Sequence, residues 1–177
     1  MWWIIGPICG IAGLLLLATL IGVFLPKNHI ASRTAILPVT PEALWTVITD
    51  VEAYPSWRSE LSKVEVLKNE ANAKEWRETS RFGEIPFAVT EYQPHARLVT
   101  KINSDDLAFG GVWTYELAPE GAGTRLTITE NGVINNPFYR FMARFIFGYS
   151  ASIDGYLGSL GKKHGKEITI EDGASLK

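Results

Sequence analysis

Apolar residues follow three different patterns along this chain. Trp2–Leu25 is an apolar run without a single charged residue. From residue 30 to residue 134, short stretches alternate apolar and polar positions, which is typical of β-strands with one buried face. From Pro137 onward, apolar residues recur at steps of three and four, which is typical of an amphipathic helix. The patterns predict an apolar N-terminal helix, a strand-rich middle and one long C-terminal helix.

The C-terminal helix is predicted from Pro137 to about Lys163, with Asn136 as its N-cap and proline at its first position. At about 1.5 Å per residue it would be about 40 Å long and would need a broad apolar surface to pack on. Its apolar stripe consists of Phe138, Phe141, Met142, Phe145, Ile146, Tyr149, Ile153, Tyr156, Leu157 and Leu160. The residues off the stripe, which are expected to face water, are Arg140, Arg144, Asp154 and Lys162.

Glycines interrupt this helix at Gly148, Gly155, Gly158 and Gly161. Each glycine inside a helix costs roughly 1 kcal/mol relative to alanine. Two explanations remain open: a close approach of helix and sheet, or a void left between them by the small side chains.

Trp2–Leu25 has 24 residues, about 36 Å as a helix, against a hydrocarbon core of about 30 Å. A cleaved signal peptide would need a basic start, a shorter apolar core and a small-residue cleavage site. The first basic residue is Lys27, so an uncleaved transmembrane helix is the better prediction. Lys27 and Arg33 follow the span, which favours a single-pass membrane protein with its domain in the cytoplasm.

The region between the two helical segments is predicted to form a mainly antiparallel sheet. Thr40-Pro41 opens a short helix, with threonine as the N-cap. Short turns such as Pro94-His95 and Pro119–Gly123 imply that successive strands pair antiparallel. The predicted strands are Ile30–Ile36, Leu61–Lys68, Lys74–Phe82, Ile85–Gln93, Ala96–Asn103, Phe109–Ala118 and Thr124–Ile134. This order predicts an α+β domain in which a curved sheet grips one long helix.

Three segments resemble the START-like, or SRPBCC, superfamily, which includes polyketide cyclases and dehydrases. They are Thr40–Trp57, Gly111–Leu117 and Gly123–Gly132, the last followed directly by the terminal helix. The resemblance covers roughly residues 30–165 and implies a helix-grip fold with a deep hydrophobic cavity between sheet and helix. Together with the apolar run, it divides the chain into a transmembrane helix (2–25), a linker (26–29), the START-like domain (30–165) and a polar tail (166–177). The superfamily has no universal catalytic residue, and the resemblance does not include the N-terminal span.

Strand alternation places one glutamate on each of three otherwise apolar faces. Glu78 follows Trp76, Glu91 follows Phe87 and Val89, and Glu130 follows Leu126 and Ile128. The simpler explanation is that these faces turn outward, or that each carboxylate is paired with an arginine. Arg58 and Arg77 are candidate partners, and Arg58 is favoured because Arg77 alternates outward from Trp76. The functional interpretation is a polar patch that orients a ligand in an apolar cavity.

The net charge and the few histidine and cysteine residues count against some classes of function. The net charge of −2 and the pI of about 5.9 do not favour a nucleic-acid partner. The three histidines are scattered, so neither a metal site nor a cofactor is expected, and the single cysteine, Cys9, lies in the apolar run.

The preferred hypothesis is therefore a membrane-anchored domain that binds a hydrophobic small molecule or lipid. One alternative is a cyclase or dehydratase with Glu130 or Glu91 as general acid/base, and another is a protein-interaction domain. The predicted ligand-binding residues are Trp57, Arg58, Trp76, Glu78, Phe87, Glu91, Trp113, Tyr115, Glu130, Phe145, Tyr149 and Tyr156.

Overall fold

The computed structural model describes residues 2–173, and for residues 2–6, 8 and 71 it describes the backbone alone. The helices are α1 (Trp2–Val23), α2 (Pro41–Thr49), α3 (Pro137–Met142) and α4 (Ala151–Lys163). The strands are β1 (Asn28–Leu37), β2 (Leu61–Lys68), β3 (Glu75–Ser80), β4 (Gly83–Gln93), β5 (Arg97–Ile102), β6 (Phe109–Glu120), β7 (Gly123–Ile134) and β8 (Ile170–Asp172). A 3₁₀ turn, Val51–Ser56, follows α2, and a second one spans Ala71–Ala73.

The strands form one curved, open antiparallel sheet in the order β2-β3-β4-β5-β6-β7-β1-β8. Neighbours from β2 to β7 are also neighbours in sequence, because short turns leave each strand beside the next one. Gly121 in the β6–β7 turn has φ +58°, a conformation that glycine adopts without a steric penalty. The predicted α+β arrangement and its antiparallel pairing are confirmed.

The core lies on the inner face of the sheet, under α2 and α4. Thr40 caps α2, as predicted, by accepting a hydrogen bond from the Ala43 backbone N–H. Both helices bury one stripe against the inward residues of β1, β6 and β7. The largest fully buried side chains are Leu37, Leu44, Ile48, Leu126, Ile128, Ile153, Leu157 and Leu160. Full burial of such a side chain contributes roughly 1.5–3 kcal/mol, so these two helices supply much of the folding energy.

An ion pair between β1 and α4 fixes the position of the terminal helix. Arg33 Nε donates to Asp154 Oδ1 at 2.9 Å, and Arg33 Nη2 donates to Ser150 Oγ at 2.8 Å. The same guanidinium pairs with Asp172 of β8. Asp154 was expected to face water, but it points toward the sheet edge because β1 presents a basic partner there.

The predicted continuous helix from Pro137 to Lys163 is wrong. It is broken into α3, a π-helical segment at Ala143–Phe147, and α4. Gly148 between them has φ +82°, which is incompatible with helical continuation. Phe145 of the predicted stripe consequently leaves the core, and its side chain is 56% exposed.

The glycines of α4 have different environments. A Cβ on Gly161 would contact Ile168 and the Lys166 carbonyl at 2.9 Å, which is the close approach that one explanation anticipated. A Cβ on Gly155 or Gly158 would have no atom within 4 Å. Close packing therefore explains Gly161 alone among these three.

The C-terminal end of α1 is joined to α3. A Cβ on Gly22 would collide with the Pro137 carbonyl, so the two backbones touch there. Arg140 donates to the carbonyls of Leu25 at 2.7 Å and Val23 at 3.4 Å. Arg140 was expected to face water, but it is buried because the carbonyls at the end of α1 need donors.

Among the residues described, no helix is both long and apolar enough to cross a membrane. The predicted transmembrane helix at residues 2–25 is therefore not supported. The side chains of Trp2 and Trp3 lie outside the described set.

The segment after α4 was predicted to be a polar tail. Ile170–Asp172 instead forms β8, which pairs antiparallel with Arg33–Ala35 of β1. The last part of the predicted tail, residues 174–177, lies outside the described residues.

The fold predicts different costs for two aromatic residues of the original stripe. Tyr156→Ala should lower the free energy of unfolding by about 3–5 kcal/mol, because it opens a cavity in the core. Phe145→Ala should change it by less than ~1 kcal/mol, because that ring is exposed. Chemical denaturation of both variants measures the difference, and equal losses would contradict the break at Gly148.

Candidate functional site

The inner face of the sheet carries an aromatic cluster centred on Tyr156 of α4. Its ring packs edge-on against four other rings, at centroid distances from 5.5 to 6.3 Å. These rings come from the 3₁₀ turn and the residue after it, and from β6: Tyr54, Trp57, Trp113 and Tyr115. Edge-to-face packing of this kind adds about 0.5–1.5 kcal/mol per pair beyond burial.

A buried ion pair lies beside the cluster. Arg58 Nη1 donates to Glu78 Oε1 at 3.0 Å, and the two side chains are only 14% and 8% exposed. Trp76 Nε1 donates to the same carboxylate oxygen at 3.1 Å. Arg58, rather than Arg77, is thus the partner of Glu78, as predicted, and Arg77 lies 3.6 Å from Glu84 instead. The arrangement satisfies a carboxylate that would be costly to bury alone.

The Arg58 guanidinium also contacts two rings of the cluster. Its central carbon lies 5.1 Å from the centroid of Tyr54 and 5.3 Å from that of Tyr156, close enough for cation–π attraction. Arg58 Nε donates to Glu60 Oε1 at 2.9 Å. The cation is therefore held between two carboxylates and two aromatic rings.

The electrostatics of the cluster keep its phenols neutral. Burial raises the pKa of Tyr54, Tyr115 and Tyr156 above the usual range, and nearby groups modify that effect. Burial is the largest single effect and acts to lower the pKa of Arg58, but Glu78, Tyr156, Tyr54 and Glu60 together outweigh it, so the pKa is raised. The site thus combines a permanent cation with phenol O–H groups that remain donors.

Two buried polar atoms of the cluster have no hydrogen-bond partner among the described residues: the Tyr156 hydroxyl and Trp57 Nε1. The Tyr54 hydroxyl donates to the Ile48 carbonyl at 2.7 Å, so toward Tyr156 it can act only as an acceptor. An unsatisfied buried polar group costs about 1–3 kcal/mol. Both atoms could donate to an acceptor oxygen on a bound molecule.

A cavity of about 270 Å³ opens on the same face, between α2, the 3₁₀ turn and strands β3–β5. Trp76 lines it and also packs with the aromatic cluster through Tyr54. Lys74 lies among its polar lining residues and donates to the Thr49 carbonyl at 3.2 Å. The lining residues are Ile48, Thr49, Val51, Asn69, Lys74, Trp76, Val89, Tyr92 and Leu98. The deep cavity expected under the terminal helix is occupied at its centre by the ring of Tyr156 and its neighbours.

Glu91 does not face this site. A β-bulge in β4 places Val89 opposite Thr100 and Glu91 opposite Val99, so the alternation shifts by one residue. Glu91 then pairs with Arg97 at 3.1 Å on the outer face, while Tyr92 turns inward and accepts a hydrogen bond from Trp45 Nε1. The prediction of an inward Glu91 is wrong because it assumed strict alternation.

Glu130 belongs to a second polar group, with His29 and Tyr149. Glu130 Oε1 lies 3.7 Å from His29 Nε2, and both side chains are largely buried. The His29 ring stacks on Tyr149 at 4.5 Å, directly after the break at Gly148. A Cβ on Gly132 would collide with the His29 ring, so the ring can lie there only because residue 132 is a glycine.

The sequence prediction placed His29 in a linker and did not include it among the site residues. Strand alternation could have found it: when the first strand is extended to Asn28, His29 falls on the inner face opposite Gly132.

The remaining predicted site residues divide into two groups. Phe87 stacks on Trp76, with centroids 5.4 Å apart, and so lines the ion-pair end of the inner face. Phe145 is exposed and lies outside the site. The aromatic cluster and ion pair thus bring together Trp57, Arg58, Trp76, Glu78, Phe87, Trp113, Tyr115 and Tyr156.

A curved antiparallel sheet that holds a C-terminal helix over an aromatic inner face defines the START-like, helix-grip class. Residues 28–160 match the family described as "Polyketide cyclase / dehydrase and lipid transport", and the chain belongs to that family. No curated protein matches the sequence.

Solved structures show the same fold at low sequence identity. A START superfamily protein from Mycobacterium smegmatis is 17% identical, with a TM-score of 0.64 over 77% of this chain and 97% of the other. The Zhui aromatase/cyclase from Streptomyces sp. R1128 is 12% identical, with a TM-score of 0.64 over 78% and 94%. Norcoclaurine synthase from Thalictrum flavum is 10% identical, with a TM-score of 0.62 over 79% and 88%.

The raised phenol pKa values predict alkaline instability. The folded pKa lies above the unfolded value of about 10, so the neutral phenols stabilise the fold fully below that pH. Above it, unfolding exposes phenols that ionise, and the free energy of unfolding should fall. Tyr115→Phe should reduce this loss, whereas Tyr139→Phe, at an exposed position, should not. Denaturation measured from pH 8 to 11 tests this, and identical profiles for the two variants would contradict it.

Proposed function

We propose that this protein binds a hydrophobic small molecule or lipid on the inner face of its sheet, at the aromatic cluster. The observation that carries the proposal is the pair of buried donors without partners among the described residues, the Tyr156 hydroxyl and Trp57 Nε1. Apolar surroundings with a few unsatisfied polar groups are the composition that small-molecule sites require. The ligand is therefore an apolar molecule with a hydrogen-bond acceptor, such as a carbonyl oxygen.

Ligand entry requires movement. The cavity beside the cluster is about 270 Å³, slightly below the 300–1,000 Å³ typical of ligand pockets. The rings around Tyr156 must separate to enlarge it. The charged end of the site, at Arg58 and Glu78, then remains as the fixed wall.

A second candidate is an enzyme of the cyclase or dehydratase type. The observation that favours it is the His29–Glu130 contact at 3.7 Å, because a largely buried carboxylate beside an imidazole is suited to proton transfer. The family description and the aromatase/cyclase among the similar structures support this class. Chemical conversion of a bound ketone, lost in Glu130→Gln with binding retained, would favour this candidate over a carrier.

We propose in addition that the protein acts at a membrane. Two features of α1 support this: its sequence has no charged residue, and its described side chains from Ile11 to Val23 are largely exposed around the helix. A helix that is apolar on all sides is buried in protein or in lipid.

Binding of an acceptor-bearing ligand should depend on the Tyr156 hydroxyl. Tyr156→Phe keeps the ring and should weaken binding of a fluorescent aromatic ketone about fivefold to tenfold, which corresponds to the loss of one hydrogen bond. Trp57→Phe should act in the same direction. The hydrocarbon analogue that lacks the carbonyl should bind the parent protein and Tyr156→Phe equally. Fluorescence titration measures these affinities.

Tyr139→Phe is the matched control, because it removes an exposed hydroxyl outside the cluster. If Tyr156→Phe binds the ketone unchanged and only becomes more stable, the unsatisfied hydroxyl is not part of a ligand site. Binding of neither probe by the parent protein would count against the proposed function itself.

A further inference from the structure

The π-helical segment ends in three adjacent exposed apolar residues. Phe145, Ile146 and Phe147 have exposed fractions of 56%, 60% and 64%, and Tyr139 on the preceding helix is 49% exposed. The lipid patch is defined here as these four residues. Contiguous exposed aromatic and aliphatic side chains of this size mark an interaction surface.

In the stretch of sequence that contains the lipid patch, the charges are all of one sign. From Asn131 to Ile153 the sequence contains no acidic residue, and it contains Arg140 and Arg144. Arg140 donates hydrogen bonds to carbonyls at the end of α1, whereas Arg144, next to Phe145, is exposed. Lys27 is exposed where the chain leaves α1. The protein as a whole carries a charge of −2, so this segment is locally basic in an acidic chain.

The lipid patch is also physically continuous with α1. Helix α3 packs against α1 and leads directly into the π-helical segment. The backbone contact of Gly22 with Pro137 and the hydrogen bonds of Arg140 hold the two helices together. Any surface that receives α1 therefore lies close to the π-helical segment.

We propose that the lipid patch is a docking surface for an anionic lipid bilayer. Phe145, Ile146 and Phe147 enter the interface between headgroups and acyl chains, as aromatic and aliphatic side chains of interfacial helices do. Arg144 and Lys27 bind anionic headgroups, with about 1 kcal/mol from each basic residue near the surface. This inference rests on the proposed action at a membrane and adds a second contact that α1 does not make.

The experiment uses the full chain with Cys9→Ser, reconstituted into phosphatidylcholine vesicles with or without phosphatidylglycerol. An environment-sensitive dye on Ile146→Cys reports the surroundings of the lipid patch. Phe82→Cys is the matched control, since Phe82 is 81% exposed at the β3–β4 turn, next to Arg81. The dye at position 146 should shift to the blue, more strongly with phosphatidylglycerol, while the dye at position 82 should not.

A charge test separates headgroup binding from simple insertion. Arg144→Gln should reduce the dependence of the shift on phosphatidylglycerol, Arg144→Gln together with Lys27→Gln should remove it, and Arg81→Gln should leave it unchanged.

The outcomes separate the two proposals. If the full chain does not float with vesicles in a density gradient, the proposed action at a membrane fails. If it floats but the dye at position 146 behaves like the dye at position 82, the lipid patch is not a bilayer surface. A shift that depends on protein concentration in the absence of vesicles would assign the lipid patch to a second copy of this chain and overturn the inference.

Discussion

The burial of Tyr156 between the sheet and the 3₁₀ turn is the contact on which the rest of the structure depends. Its ring touches aromatic residues from the turn region and from β6, so it links α4 to the segment after α2 and to the sheet. The same ring lies under the Arg58 guanidinium. Interior packing is dense, and a ring in this position leaves little freedom to its neighbours. The arrangement positions the ion pair and leaves two buried donors facing the same aromatic environment.

The buried ion pair contributes less to stability than its short distance suggests. Desolvation of Arg58 and Glu78 opposes much of their attraction, and such pairs are often no more stabilising than apolar residues of similar volume. Its geometry nevertheless places a permanent charge at one end of an apolar face. The His29–Glu130 contact places a second polar group on that face, beside Tyr149. A ligand between the two would be oriented by polar groups at both ends.

The helix break has consequences for the outside of the molecule. Because Gly148 ends the π-helical segment with a positive φ, the residues before it do not continue the stripe of α4. Their apolar side chains are released to the surface next to α1, and the joint at Arg140 and Gly22 keeps both apolar surfaces at one end. The aromatic inner face and the exposed apolar surface are thus connected through one short segment.

Local periodicity and the chemistry of turns were enough to predict the sequential antiparallel pairing from β2 to β7, the helix caps and most of the inner face, but not the places of β1 and β8 in the sheet. Periodicity and residue type were enough to assign eight residues to the candidate site: Trp57, Arg58, Trp76, Glu78, Phe87, Trp113, Tyr115 and Tyr156. Tertiary structure alone decided the positions at which regular periodicity fails. One extra residue in β4 turns Tyr92 inward in place of Glu91, and a positive φ at Gly148 takes Phe145 out of the core. Arg140 is buried only because the end of α1 lies beside it, and Asp154 pairs only because β1 brings Arg33 within reach. Each of these outcomes depends on partners far away in the chain or on a single backbone irregularity, and a local pattern of residues records neither.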